Sequence, residues 1–209
     1  MTEPIRPAAT VVLWRLTQAG EAQILMGQRG AGAVFMPSKF VFPGGRVDPE
    51  DHHAADQGHL GDLCQARLRA MVPADAPTPA ALVAAALREL AEETGLALPP
   101  PDRPQMRFVF RAITPPGNRR RFDARFFLAN GAGLIGDATG FRDASGELQH
   151  LRWLPMAEAR ALDLPFITEV VLAEVAALLA GQDQPGVPFF DNSTDMPQFR
   201  RIDPDRPPA

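Results

Sequence analysis

The stretch that most constrains this chain is Ala84–Leu96, AAALRELAEETGL. Glu89, Glu92 and Glu93 stand at i, i+3 and i+4, a spacing that puts three carboxylates on one face of a helix. Leu82, Val83, Ala86, Leu87 and Leu90 fall on the other side and form an apolar stripe for burial. Thr78 reads as the N-cap, Pro79 as the first helical residue and Gly95 as the residue just past the end. Like charges one turn apart repel, by about 0.2–0.5 kcal/mol for an exposed pair. A cluster of three on a rigid helix therefore suits a compensating Mg²⁺ or Mn²⁺. Acidic helix faces are common, so taken alone the glutamates favour a solvated face with Arg88 paired to Glu92.

What separates these readings lies upstream. Phe42-Pro43-Gly44-Gly45-Arg46-Val47-Asp48 ends a short apolar run in a Gly-Gly loop, where the backbone can approach a metal or a pyrophosphate closely. A Gly-Gly loop followed by Arg88–Leu96, RELAEETGL, resembles the Nudix box, G-x5-E-x7-R-E-U-x-E-E-x-G-U with U apolar. The second half matches at every specified position. In the first half Asp51 stands where the pattern has Glu. Uninterrupted spacing puts the arginine at 59, and it stands at 88, 29 residues later. An insertion at about 52–77 accounts for the difference. The interrupted box, Phe35-Met36-Pro37 ahead of it, and Arg121-Phe122-Asp123 with Phe126-Phe127 behind it resemble the peroxisomal coenzyme A diphosphatase type. The resemblance spans roughly residues 8–180.

The resemblance implies an α/β chain with the Nudix fold, a mixed β-sheet sandwiched between helices (α/β/α). Residues 1–209 are expected to form one such domain, with a packing tail at about 186–209. The implied activity is metal-dependent hydrolysis of a pyrophosphate bond in a nucleoside diphosphate linked to another moiety, with coenzyme A or an acyl-coenzyme A first. The alternatives are an ADP-ribose or dinucleotide pyrophosphatase and a non-catalytic nucleotide-sensing domain. Intact Glu89, Glu92 and Glu93 favour an enzyme, since an idle site has no need of mutually repelling carboxylates. Those three, with the Gly45 carbonyl, are the expected metal ligands. Glu93 or Glu147 is the expected base, and Arg88 orients the box carboxylates. Glu147 stands six residues before Trp153, where the family often has an accessory acid. Asp51 is expected to hold the loop on the helix.

The rest of the chain reads as alternating elements. Residues 8–16 and 22–29 form a strand pair around a Gly turn, and Phe40–Phe42 is a short strand. Further strands are expected at 106–114, 122–129 and 147–154, with helices at 60–71, 156–162 and 166–180. Arg29, at a strand end, is a candidate for substrate phosphates. Arg119, Arg120 and Arg121 make the sharpest positive patch and suit the extra phosphate of coenzyme A, with a solvated hairpin tip as the other reading. His52, His53, His59 and Cys64 fit no standard zinc spacing and read as surface histidines with a buried thiol. The insertion itself is expected to act as a lid or collar beside the site. Phe189, Phe190, Met196 and Phe199 make the tail too apolar to stay free, so it packs on the domain or on a second copy in a homodimer.

Charge and cysteine content narrow the partners. A net charge of −4 gives no basic field for nucleic acid. No apolar run reaches the length of about 18 residues that a membrane span needs. Cys64 is the only cysteine, so no internal disulfide forms, which suits the cytoplasm. The expected partner is a small-molecule nucleotide.

Overall fold

A computed structural model describes residues 3–203. β1 (Ile5–Leu16) and β2 (Ala22–Arg29) form an antiparallel hairpin, with Trp14 opposite Ile24 and Leu16 opposite Ala22. Beyond that register the two strands part, and residues 40–46 are wedged into the opening. There β3 (Phe40–Val41) pairs with β2 and β4 (Gly44–Arg46) pairs with β1. Val11 N donates to Pro43 O at 2.9 Å and Val47 N donates to Pro7 O at 2.9 Å, so the Gly-Gly segment is fixed to β1 on both sides.

α1 (Asp62–Arg69) and α2 (Pro79–Thr94) follow, then the hairpin of β5 (Met106–Ile113) and β6 (Arg121–Asn130). β6 lies parallel to β1, in register from Ile5 opposite Arg121 to Trp14 opposite Asn130. β7 (Leu148–Pro155) joins β2, and α3 (Met156–Arg160) and α4 (Phe166–Leu179) lead to β8 (Val187–Asp191) and β9 (Gln198–Ile202). The main path of the mixed sheet runs β3-β2-β1-β6-β5-β8-β9.

Side chains alternate across the strands, so the sheet builds one core on each face. Val11, Leu13 and Phe127 pack with Leu82, Ala86 and Leu90 of α2 and Leu68 of α1. Val12, Ile24 and Phe110 pack with Val171, Leu172 and Val175 of α4. This is the α/β/α layering that the resemblance implied. α2 has the ends its sequence specifies. Thr78 Oγ1 accepts from Ala81 N at 3.1 Å, Pro79 opens the helix, and Gly95 closes it at φ 70° while its N donates to Ala91 O at 2.8 Å.

Two expectations need correction. His59 is buried, because its carbonyl accepts from Gln105 N and Met106 N and draws the residue under β5, and Cys64 is only half-buried. The tail packs through strands: Phe189 is buried where β8 joins β5, whereas Met196 and Phe199 face outward. Among the described residues no helix is long and apolar enough to cross a membrane.

Thr78→Ala removes the cap of α2 and is expected to cost about 1 kcal/mol. The check is thermal unfolding, where that loss corresponds to a drop in Tm of about 2–4 °C at this size.

Candidate active site

Arg88 joins the loop to the helix. Its Nε donates to Asp51 Oδ1 at 3.2 Å and its Nη2 to Asp51 Oδ2 at 3.0 Å, while Nη2 also reaches Arg46 O at 3.0 Å. Nη1 donates to Glu89 Oε1 at 3.0 Å and to Glu92 Oε2 at 3.2 Å. Partial burial works against the Arg88 charge, but the bonds to Asp51 and Glu89 outweigh it and hold the guanidinium above its ordinary value. Asp51 is buried, and its Oδ2 also accepts from Asp48 N at 2.8 Å. The shorter side chain at this box position therefore still spans loop to helix.

The carboxylates themselves divide. Glu93 is only 2% exposed, and its Oε2 accepts from Gly44 N at 2.8 Å. Glu89 lies flat on Gly45, where an added Cβ would stand 2.2 Å from Oε1. A glycine is required at 45 for that approach. At 44, a Cβ would come within 2.6 Å of Thr10 Oγ1 and Ala9 O. Glu92 is 56% exposed along its side chain and lies outside the cleft. Glu147 enters from the loop before β7 and lines the cleft with Glu89 and Glu93. The loop that delivers it is tied to α2 by Ser145 N donating to Glu92 O at 2.9 Å, and braced by Trp153 Nε1 donating to Ala138 O at 2.9 Å.

Electrostatically the group is strained toward negative charge. Burial pushes the Glu93 carboxyl up to about 8, helped by Glu89 and Glu147 and opposed by the Gly44 N–H and Arg29. Burial also raises Glu89, with Arg88 pulling the other way and Glu92 and Glu147 adding to the rise. Arg29 lines the same cleft, and its Nε is buried without a hydrogen-bond partner. This donor set fits a divalent cation: mutually repelling carboxylates beside a glycine backbone that comes within touching distance. Among the described residues no three His, Cys, Asp or Glu side chains converge as a closed cage. Mg²⁺ is commonly held by one or two carboxylates together with water and substrate phosphates.

The cleft is ≈ 810 Å³ and crosses the face of the sheet that carries α4. Strand register explains its shape. Ala8, Ala124 and Ala112 stand side by side on β1, β6 and β5 and give it a floor of methyl groups. Arg6 and Phe122 form the next row on one side, Thr10 and Phe126 on the other. From β4 to β5 is three strand spacings, about 14 Å. The far end is closed by Pro165, Ile167 and Thr168 at the start of α4.

The arginine triplet does not act as a unit. Arg120 lines the cleft and Arg119 is exposed outside it. Arg121 is buried on the opposite face, donating from Nε to Thr114 O at 3.0 Å and from Nη2 to Asn192 O at 2.6 Å. Arg121 is the first residue of β6 and points away from the face that Phe122 takes, whereas Arg119 and Arg120 lie in the turn before the strand. The insertion is also displaced from its expected place. None of residues 52–77 lines this cleft; they pack against β5 and the segment before β8, where Arg67 Nη2 donates to Gln184 O at 3.3 Å. Sequence reasoning passed over Arg6, Thr10 and Thr168, although the in-out parity of β1 was readable from Val11 and Leu13.

Residues 65–175 match the sequence profile described as the NUDIX domain. The chain belongs to the Nudix family. Its members are pyrophosphohydrolases that act on nucleoside diphosphate-linked substrates and generally use divalent metal ions. A solved Nudix hydrolase from Alicyclobacillus acidocaldarius is 25% identical, with 84% of this chain and 92% of that one covered at a TM-score of 0.60. The C. elegans Ap4A hydrolase in a binary complex is 17% identical, with 85% and 99% covered at 0.50. The Nudix domain of Shewanella oneidensis NrtR complexed with ADP ribose is 14% identical, with 85% and 90% covered at 0.53. The last two share the fold with this chain. A comparison with curated proteins finds no match.

Glu93 keeps its proton in the folded state up to about pH 8, whereas the ordinary value is 4.5. Between these limits the unfolded chain has lost a proton that the folded chain retains. Rising pH therefore removes stability, by at most about 1.4 kcal/mol per pH unit. In metal-free protein, Glu93→Gln should gain stability relative to wild type steadily from pH 5 to pH 8, read as the difference in Tm. A constant difference across that range would refute the assignment.

Proposed function

We propose that this chain hydrolyses the pyrophosphate bond of coenzyme A or an acyl-coenzyme A, in a reaction supported by Mg²⁺ or Mn²⁺. The observation that carries the reading is the buried Glu89–Glu93 pair pressed on the Gly44–Gly45 backbone at one end of a long cleft. Glu89, Glu93 and the Gly45 carbonyl would hold the metal, and Glu92 would join them by turning from its bond to Arg88. The metal would offset phosphate charge and lower the pKa of the attacking water.

The protein's own groups supply the rest. Arg29 faces Glu93 with an unpartnered Nε and binds the pyrophosphate oxygens. Arg88 positions Glu89 and Glu92 through its fork and touches no substrate. Glu93, whose carboxyl a bound cation would hold in the charged form, takes the proton from the water. Glu147, facing it across the cleft, is the alternative acceptor. Arg120 contacts the further phosphate of the nucleotide, and Arg119 stands outside to steer it in. The cleft floor takes the rest of the substrate. An ADP-ribose or dinucleotide substrate is the second reading. It is favoured by the insertion, part of the coenzyme A resemblance, staying out of the cleft.

Product analysis with coenzyme A, acetyl-coenzyme A, ADP-ribose and NADH decides between them, each run with Mg²⁺, Mn²⁺ and chelator. Metal-dependent release of 3′,5′-ADP and 4′-phosphopantetheine supports the first reading. AMP from ADP-ribose or NADH alone supports the second. Nucleotide binding without turnover overturns both and leaves a sensor.

Two variants sharpen the roles. Glu93→Gln should keep its fold by circular dichroism and lose about 10²–10⁴-fold in kcat. Arg120→Ala should raise KM with Tm unchanged. Arg121→Ala should instead unfold early, because removing it strands the buried Asn192 carbonyl, at about 1–3 kcal/mol, and the half-buried Thr114 carbonyl.

A further inference from the structure

A second cavity of ≈ 360 Å³ opens on the opposite face of the sheet. Its walls come from the insertion, through Met71, Pro73, Ala76 and Pro77, and from the strands behind. At its base lie two guanidinium groups that the hydrolytic site does not use. Arg111 is 3% exposed and Arg125 is 1% exposed. Both depend on one carboxylate. Arg111 forks onto Asp123 with Nε and Nη2, each at 2.8 Å, and its Nη1 donates to Met71 O at 2.7 Å. It also stacks over the Phe189 ring at 4.2 Å, and each of its three nitrogens already donates once.

Arg125 is served differently. Its Nη1 donates to Asp123 O at 2.8 Å and lies 3.0 Å from Asp123 Oδ2. Its Nε and Nη2 make no hydrogen bond to any described residue, and Arg125 lines the cavity. Burial presses its pKa down to about 10, with Asp123 raising it and Arg111 lowering it further. Two buried cations share the Asp123 carboxylate. The other acids at the cavity do not reach the Arg125 guanidinium. Asp191 Oδ2 faces Arg200 Nε at 3.7 Å, its Oδ1 accepts from Ser193 N, and Asp75 is exposed.

We propose that this cavity is a binding site for a small oxyanion, a phosphate or carboxylate group, received by the free edge of the Arg125 guanidinium. The insertion is the wall that makes the site, which gives that segment a role away from the hydrolytic cleft. A planar fork with two adjacent donors matches a two-oxygen acceptor. The proposal is independent of the hydrolytic reading.

The test uses the full chain, metal-free, in an Arg29→Ala background so that the cleft does not contribute. Inorganic phosphate and acetate are each titrated against chloride at equal ionic strength, followed by thermal unfolding and calorimetry. One or both oxyanions should bind with a stoichiometry of one. Tm should rise by about 2–4 °C at roughly fivefold excess over Kd. Phosphate alone, acetate alone or both then tells which head group the site takes. Arg125→Met should abolish the rise. Ala76→Phe, which fills the cavity and leaves the charges in place, should abolish it too and serves if the first variant folds poorly. No oxyanion effect beyond that of chloride would overturn the proposal. So would an effect that survives Ala76→Phe.

Discussion

One guanidinium holds the hydrolytic end of this molecule together. Arg88 meets a carboxylate from the loop, a backbone carbonyl from β4 and two carboxylates from its own helix. Loop and helix are distant in sequence, and among the described residues no other side chain bridges Asp51 to Glu89. Because Asp51 is buried, removal of Arg88 would leave its charge without compensation, at about 3–5 kcal/mol. The same contact fixes Glu89 against Gly45, and through the Gly44 N–H it indirectly sets Glu93. A lysine could carry the charge of Arg88 but not its several directions.

The helical core of the site was legible because its signals are local. A cap, a proline and a terminal glycine bound α2, and i, i+4 spacing places Glu89 and Glu93 together. Strand positions were legible for the same reason, as β1, β2, β5 and β6 all fall close to their apolar runs. What the sequence hid depends on partners far along the chain. Arg119, Arg120 and Arg121 read as one patch, yet strand parity sends Arg121 to the opposite face. The alanine floor is invisible in any single strand, since it requires the register of three. The sequence of β4 reads as a loop because glycine has low β propensity, and its pairing with β1 overrides that.

The sheet separates two chemistries by one layer of backbone. Even-numbered residues of β6, such as Phe122, Ala124 and Phe126, face the large cleft, and Asp123 and Arg125 face the smaller cavity. Side-chain direction alone keeps these sites apart, although Ile113 touches both. Residues that neighbour one another in sequence thus serve separate sites. Each side sets arginines against carboxylates, Arg29 and Arg120 with Glu89 and Glu93 in the cleft, Arg111 and Arg125 with Asp123 in the cavity.

The parallel pairing of β1 with β6 bears on how the chain acquires its shape. Residues 5–14 find their partner only at 121–130, after two α-helices and four intervening strand segments have been made. During synthesis β1 and β2 can close their hairpin at once, but the other edge of β1 stays open until β6 emerges. Pairings so far apart carry a large loop-closure cost and slow folding. An open apolar edge is also a template for wrong partners in the interval. The floor of the cleft is therefore assembled late, and the first half of the chain on its own cannot contain it.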